Sequence, residues 1–128
     1  MHYRTPLSRV RGLGSIQSGT NHWWMQRITA IALIPLSLFA ISLLDLMISA
    51  PYKETLSWLA SPLHSTIIIA WLISVFYHAA LGLQVVIEDY IAVEGLRIIA
   101  VWTVNLVFFL LALAAVIAVL RIISVGQA

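Results

Sequence analysis

The sequence predicts an all-α membrane protein of three spanning helices, and three observations carry that prediction. Of 128 residues, 62% are hydrophobic and 9% are charged, against about 45–50% apolar and roughly 25% charged in an ordinary soluble domain. A soluble fold of this size keeps too much surface to hide so many apolar side chains, and disorder needs the opposite composition. The apolar residues are also gathered into runs at about 24–47, 63–87 and 98–123, each at or above the roughly 20 residues that cross a bilayer. Prolines and clustered charges separate these runs: Pro51-Tyr52-Lys53-Glu54, Ser61-Pro62, and Glu88-Asp89-Tyr90 through Glu94-Gly95-Leu96-Arg97. Such residues stop apolar helices.

Residues 1–23 read as a tail. It carries Arg4, Arg9 and Arg11, with Arg27 just inside the first helix, and no acidic side chain. The opposite side offers only Lys53 in its loop and Arg121 near the end. This Lys/Arg bias predicts a cytoplasmic N-terminus, and three spans then place the C-terminal tail, 125–128, in the periplasm. The tail is not expected to be a secretory signal, because Gly12-Leu13-Gly14-Ser15 leads into a span too long for an h-region.

The domain that follows, 24–124, holds the helices. Trp23 and Trp24 are expected at the inner interface, with Tyr52 and Trp58 at the outer one. Pro35 lies inside the first helix and should kink it, which membranes tolerate when neighbours satisfy the freed carbonyl. Every helix is apolar nearly all round, so each expects lipid or partners on all sides. The chain reads as one subunit of a larger helical bundle. With no cysteine, it has no disulfide, thiolate metal site or cysteine nucleophile.

Ionisable groups at membrane depth are costly and are functional candidates by default. His78 is the deepest: it precedes Asp89 by a stretch of helix worth roughly 16 Å, about half the hydrocarbon thickness. An imidazole there can ligate a metal, relay a proton or hydrogen-bond a neighbouring helix. Trp71, Ser74 and Gly82 share its face, with Ala79 adjacent. Gly82 leaves room for a flat group such as a porphyrin, whose iron commonly takes an axial histidine; it equally suits small-xxx-small helix packing. The other histidines, His2, His22 and His64, lie in or near the tail or at the outer helix end. A second haem ligand would have to come from another chain.

Asp89 shares the His78 face at the cytoplasmic boundary, beside Glu88 and Tyr90. A phenol and a carboxylate there can donate or relay a proton to a bound carbonyl. They also read as a belt aromatic and a solvated helix end. Arg27 opens the first helix on the same side and is expected at the depth of Asp89 and Tyr90. It can bind a propionate, a quinone oxygen or a lipid phosphate, or simply snorkel to the headgroups. Asp45 approaches the outer interface. Tyr77, Gln84 and Asn105 are expected to hydrogen-bond other helices.

The segment Tyr77-His78-Ala79-Ala80-Leu81-Gly82-Leu83-Gln84-Val85-Val86-Ile87-Glu88-Asp89-Tyr90 resembles the H-A-x-x-G-x-x-x-V-x-x-D-Y signature of the hydrophobic membrane anchor (D-type) subunit of succinate dehydrogenase, respiratory complex II. Upstream, Asn21-His22-Trp23-Trp24-Met25-Gln26-Arg27-Ile28-Thr29-Ala30 is similar to that family's entry into its first helix in alphaproteobacteria. The resemblance covers most of residues 15–124. It implies that His78 is an axial ligand to haem b iron, shared with a companion cytochrome b subunit. It further implies that Tyr90 and Asp89 bind ubiquinone, the substrate, and that Arg27 lies near the haem propionates and the quinone pocket. His22 stands one place off a histidine of some relatives and is carried as a candidate for the same vicinity.

The expected partners are the cytochrome b, iron–sulfur and flavoprotein subunits, ubiquinone and membrane lipids, with no nucleic acid. The expected location is the cell inner membrane, and catalysis arises only within the complex. Rival readings are a fumarate reductase-type anchor working with menaquinol and a purely structural anchor without haem, in which His78 only hydrogen-bonds. A transporter is disfavoured, because one deep ionisable group does not make a relay.

Overall fold

The computed structural model describes residues 16–126, and every element in it is helical: α1 (Ile16–Ser49), α2 (Tyr52–Ala60), α3 (Pro62–Tyr90) and α4 (Glu94–Gly126). Tail residues 1–15, with Arg4, Arg9 and Arg11, and residues 127–128 lie outside the described residues. The three long helices contain apolar spans Gly19–Ser49, Pro62–Tyr90 and Glu94–Val125. Three such helices make the chain a multi-pass membrane protein.

The helices outrun the apolar stretches that announce them. Residues 16–23, expected in the tail, already belong to α1. A helix satisfies its own backbone, so it continues past the hydrocarbon wherever nothing breaks it. α1 also runs through Pro35, whose missing N–H leaves the carbonyl of the preceding turn without its usual donor.

The loop expected between the first two spans is largely a helix. Pro51 stands at φ −59°, ψ 148° before α2, and its carbonyl accepts the N–H groups of Glu54 at 2.9 Å and Thr55 at 3.3 Å. Glu54 places an acid in the first turn, where the helix dipole favours it. Ser61, extended at ψ 128°, ends α2, and Pro62 opens α3 at the position where its missing N–H costs nothing. A nine-residue helix is too short to persist in water. α2 is held by its apolar side, with Leu59 buried between the spans.

α3 is central: α1 packs on it, α4 packs on it, and α1 and α4 make no close backbone approach among the described residues. The tightest packing lies at the α2 end, where Ala40, Leu59 and Ile68 are buried among Phe39, Trp58, Trp71 and Val119. Ala80 and Leu81 of α3 are buried as well, and most of the remaining apolar surface is open. Even on central α3 only Ile68, Ala80 and Leu81 are buried within the chain, and on α4 no residue of the apolar stretch is. Lipid or other helices must cover the rest.

Candidate functional site

The site forms where α1 and α3 pack against each other, and its centre is His78. Thr29 Oγ1 lies 2.9 Å from His78 Nδ1. The same hydroxyl is 2.7 Å from the Met25 carbonyl and 3.1 Å from that of Gln26. A hydroxyl has one proton to give, and here it goes back to the helix. Thr29 therefore accepts the Nδ1–H of His78. The network thus assigns the tautomer, and Nε2 keeps its lone pair.

The environment of that lone pair is loosely made. Gln26 Nε2 stands 3.4 Å from His78 Nε2, at the long limit for a hydrogen bond. Gln26 Oε1 and His22 Nε2 are buried with no hydrogen-bond partner, each at a cost of about 1–3 kcal/mol. His22, Gln26 and Thr29 follow one another at turn spacing and share a face of α1. A Cβ on Gly82 would lie 3.6 Å from Gln26 Nε2, an ordinary contact, so packing of α1 on α3 does not itself demand glycine there. Toward the α2 end, Trp71 Nε1 donates to Ser37 Oγ at 3.0 Å.

Asp89 and Tyr90 end α3, and Tyr90 is 85% exposed. They are not brought to Arg27. The Thr29–His78 and Ser37–Trp71 contacts fix an antiparallel register in which Arg27 faces the level of Ala80 and Leu81. Asp89 lies farther along α3 by about 12 Å at 1.5 Å per residue. The expected common depth is thus replaced by an offset. Arg27 places its guanidinium carbon 5.0 Å from the Trp23 ring centre, and Trp23 meets Trp24 edge-to-face at 5.1 Å.

Several polar residues take other partners. Tyr77, Gln84 and Asn105 do converge, lining an open cleft of about 450 Å³ between α3 and α4. The bond made by Gln84, however, stays within α3, its amide donating to Glu88 Oε1 at 2.8 Å. Asp45 is exposed on the surface of the chain. His64 donates its Nδ1–H to the Trp58 carbonyl at 2.8 Å and stacks on the Trp58 ring at 4.1 Å, fastening α2 to α3. Among the described residues, no three His, Asp or Glu side chains group as a metal cage.

Sequence reading alone misses Gln26 and Thr29. Their signal is a polar stripe with His22 on a helix otherwise apolar, but only the register shows what they face.

The chain matches, over residues 1–119, the family described as succinate dehydrogenase/fumarate reductase transmembrane subunit. It is similar to the succinate dehydrogenase hydrophobic membrane anchor subunit of Rickettsia bellii, with 34% identity over 117 residues covering 91% of this chain and 94% of that one. The corresponding subunit of Paracoccus denitrificans is 29% identical over 90 residues, 70% of each chain. The succinate dehydrogenase membrane anchor subunit of Reclinomonas americana is 28% identical over 94 residues, covering 71% of this chain and 78% of that one. With three apolar spans and a match along nearly its whole length, the chain belongs to the succinate dehydrogenase/fumarate reductase transmembrane subunit family, as a membrane anchor subunit.

Proposed function

We propose that the chain holds haem b through His78, jointly with a companion cytochrome b subunit, and forms part of a ubiquinone-reduction site at Tyr90 and Asp89. In this reading it sits in the cell inner membrane with its N-terminus cytoplasmic. Flavoprotein and iron–sulfur subunits dock on that side and deliver electrons from succinate. The observation that carries the proposal is the geometry about His78: Thr29 Oγ1 lies 2.9 Å from Nδ1 while its proton is committed to its own helix, which assigns Nδ1–H and leaves a lone pair on Nε2. That is the form in which imidazole ligates a metal.

The residues present fit haem. Gln26, the side chain over Nε2, is flexible and leaves its own Oε1 unpaired, so moving it aside gives up little. Gly82 offers a flat surface one turn from the ligand, and that glycine is not explained by contact with α1. When bound, haem b supplies a one-electron redox centre inside the membrane. Arg27, level with the turn after His78, would pair with a propionate, and His22, on the Gln26–Thr29 face of α1, is the further candidate for that vicinity. Tyr90 donates its phenol proton in a hydrogen bond to a quinone carbonyl, while Asp89 beside it holds or passes a proton.

The test uses the purified complex. His78→Ala is expected to abolish or shift the reduced-minus-oxidised haem spectrum, and an unchanged spectrum overturns the ligand assignment. Tyr90→Phe is expected to impair succinate-to-ubiquinone transfer while succinate reduction of a dye acceptor survives. Equal loss of both activities overturns the quinone assignment. One observation favours a second reading, the purely structural anchor: both ring nitrogens of His78 face α1 side chains. That reading requires that no haem band depend on His78: the purified complex shows either no Soret band or one that His78→Ala leaves unchanged.

A further inference from the structure

We infer that Thr29 is the positioning residue for the His78 imidazole, fixing its tautomer and tuning the iron it would ligate. The inference rests on the haem reading above and deepens it. Thr29 is the one polar residue buried in this chain among the described residues, 8% exposed. It sits within the apolar span of α1, where a hydroxyl without partners is expensive. Its geometry explains its presence. The hydroxyl donates back to the Met25 carbonyl at 2.7 Å, leaving its lone pairs to face His78 Nδ1 at 2.9 Å.

Two consequences follow from this chain, imidazole to hydroxyl to backbone carbonyl. The Nδ1–H is held in place, so the Nε2 lone pair cannot be lost to the other tautomer. The ring plane is also fixed against α1, because the acceptor belongs to a helix and not to a mobile loop. An acceptor on Nδ1–H raises the basicity of the opposite nitrogen. A more basic ligand favours the oxidised, more positive iron, so Thr29 lowers the potential of a bound haem.

Thr29→Val is the informative change, since valine keeps the shape and removes the acceptor. In the purified complex, the oxidised-to-reduced haem ratio at a fixed potential is expected to fall about tenfold, an upward midpoint shift of about 59 mV for one electron. Haem should also leave the complex more readily, by about 10–100-fold in affinity, the usual effect of removing such a partner. Thr29→Ser retains the hydroxyl and is expected to restore both values toward wild type, an outcome that a packing role does not produce. Thr29→Ala supplies the same readouts should valine disturb assembly. If haem depends on His78 but Thr29→Val and Thr29→Ala leave midpoint and retention unchanged, the positioning role is wrong and the ligand reading stands. If His78→Ala itself retains native haem, the ligand reading fails and this inference falls with it.

Discussion

Trp71 of α3 donates its indole N–H to Ser37 of α1 at 3.0 Å, two turns from the place where His78 meets Thr29. The paired contacts run in opposite directions along the two helices, so together they lock the antiparallel register. Apolar contacts cannot do this in lipid. Leucine against leucine is little better than leucine against an acyl chain, whereas a displaced indole or imidazole loses its partner. The register decides which residues can share a ligand.

Trp71→Phe keeps the ring and removes the donor. It is expected to weaken the α1–α3 pairing by about 0.6 kcal/mol and at most about 1.7 kcal/mol, the range for hydrogen bonds between membrane helices. Ser37→Ala should cost a similar amount, and the double substitution no more than either alone. Denaturant titration of the complex in detergent measures all three.

What the sequence made legible follows from one energetic fact, the cost of polar groups in hydrocarbon. That cost segregates apolar runs from charge, and so the three spans could be read directly. It also made His78 stand out. α2 was not legible, because Pro51 and Ser61-Pro62 read as breakers when they are the borders of a short helix. The level of Arg27 is hidden for a related reason: antiparallel order is visible in a sequence, but sliding one helix along another changes no local pattern. The partners of His78 on α1 depend on the same sliding coordinate.

His64 ties α2 to α3 by a bond and a stacked ring, and these can be separated. His64→Phe keeps the stack on Trp58 and loses the donor to its carbonyl, for an expected cost of about 1 kcal/mol. His64→Ala loses both, adding about 0.5–1.5 kcal/mol for the aromatic pair. The readout is hydrogen exchange across 52–60, which should quicken in phenylalanine and more in alanine while α4 amides stay protected.

Gly82 distinguishes contact within the chain from contact with a bound group. Space beside it admits a Cβ at 3.6 Å from Gln26, and Ala is a better helix former than Gly by about 0.8–1.0 kcal/mol. Gly82→Ala is therefore expected to leave insertion and α1–α3 pairing unimpaired. Under the haem reading it should still lower haem content, because a methyl group intrudes on the surface where the ring lies. A loss of pairing strength with haem content unchanged would assign Gly82 to helix packing instead.

The offset between Arg27 and Tyr90 predicts that their effects separate. A single pocket holding both would make Arg27→Gln and Tyr90→Phe fail in the same assay. The register puts Arg27 opposite Ala80 and Leu81, near the turn after His78, and Tyr90 at the exposed end of α3. Under the haem reading, Arg27→Gln removes a cation from the haem side. Without that charge near a propionate, the ferric form gains relative stability, and the haem midpoint is expected to fall. If Tyr90 binds the quinone as proposed, Tyr90→Phe removes one hydrogen bond to it, worth about 0.5–1.5 kcal/mol. That corresponds to a loss of up to about tenfold in kcat/KM for ubiquinone, with the midpoint unchanged. Redox titration and steady-state kinetics on the same preparations measure both. Parallel changes in the two variants would return Arg27 to the level of Tyr90 and contradict the register.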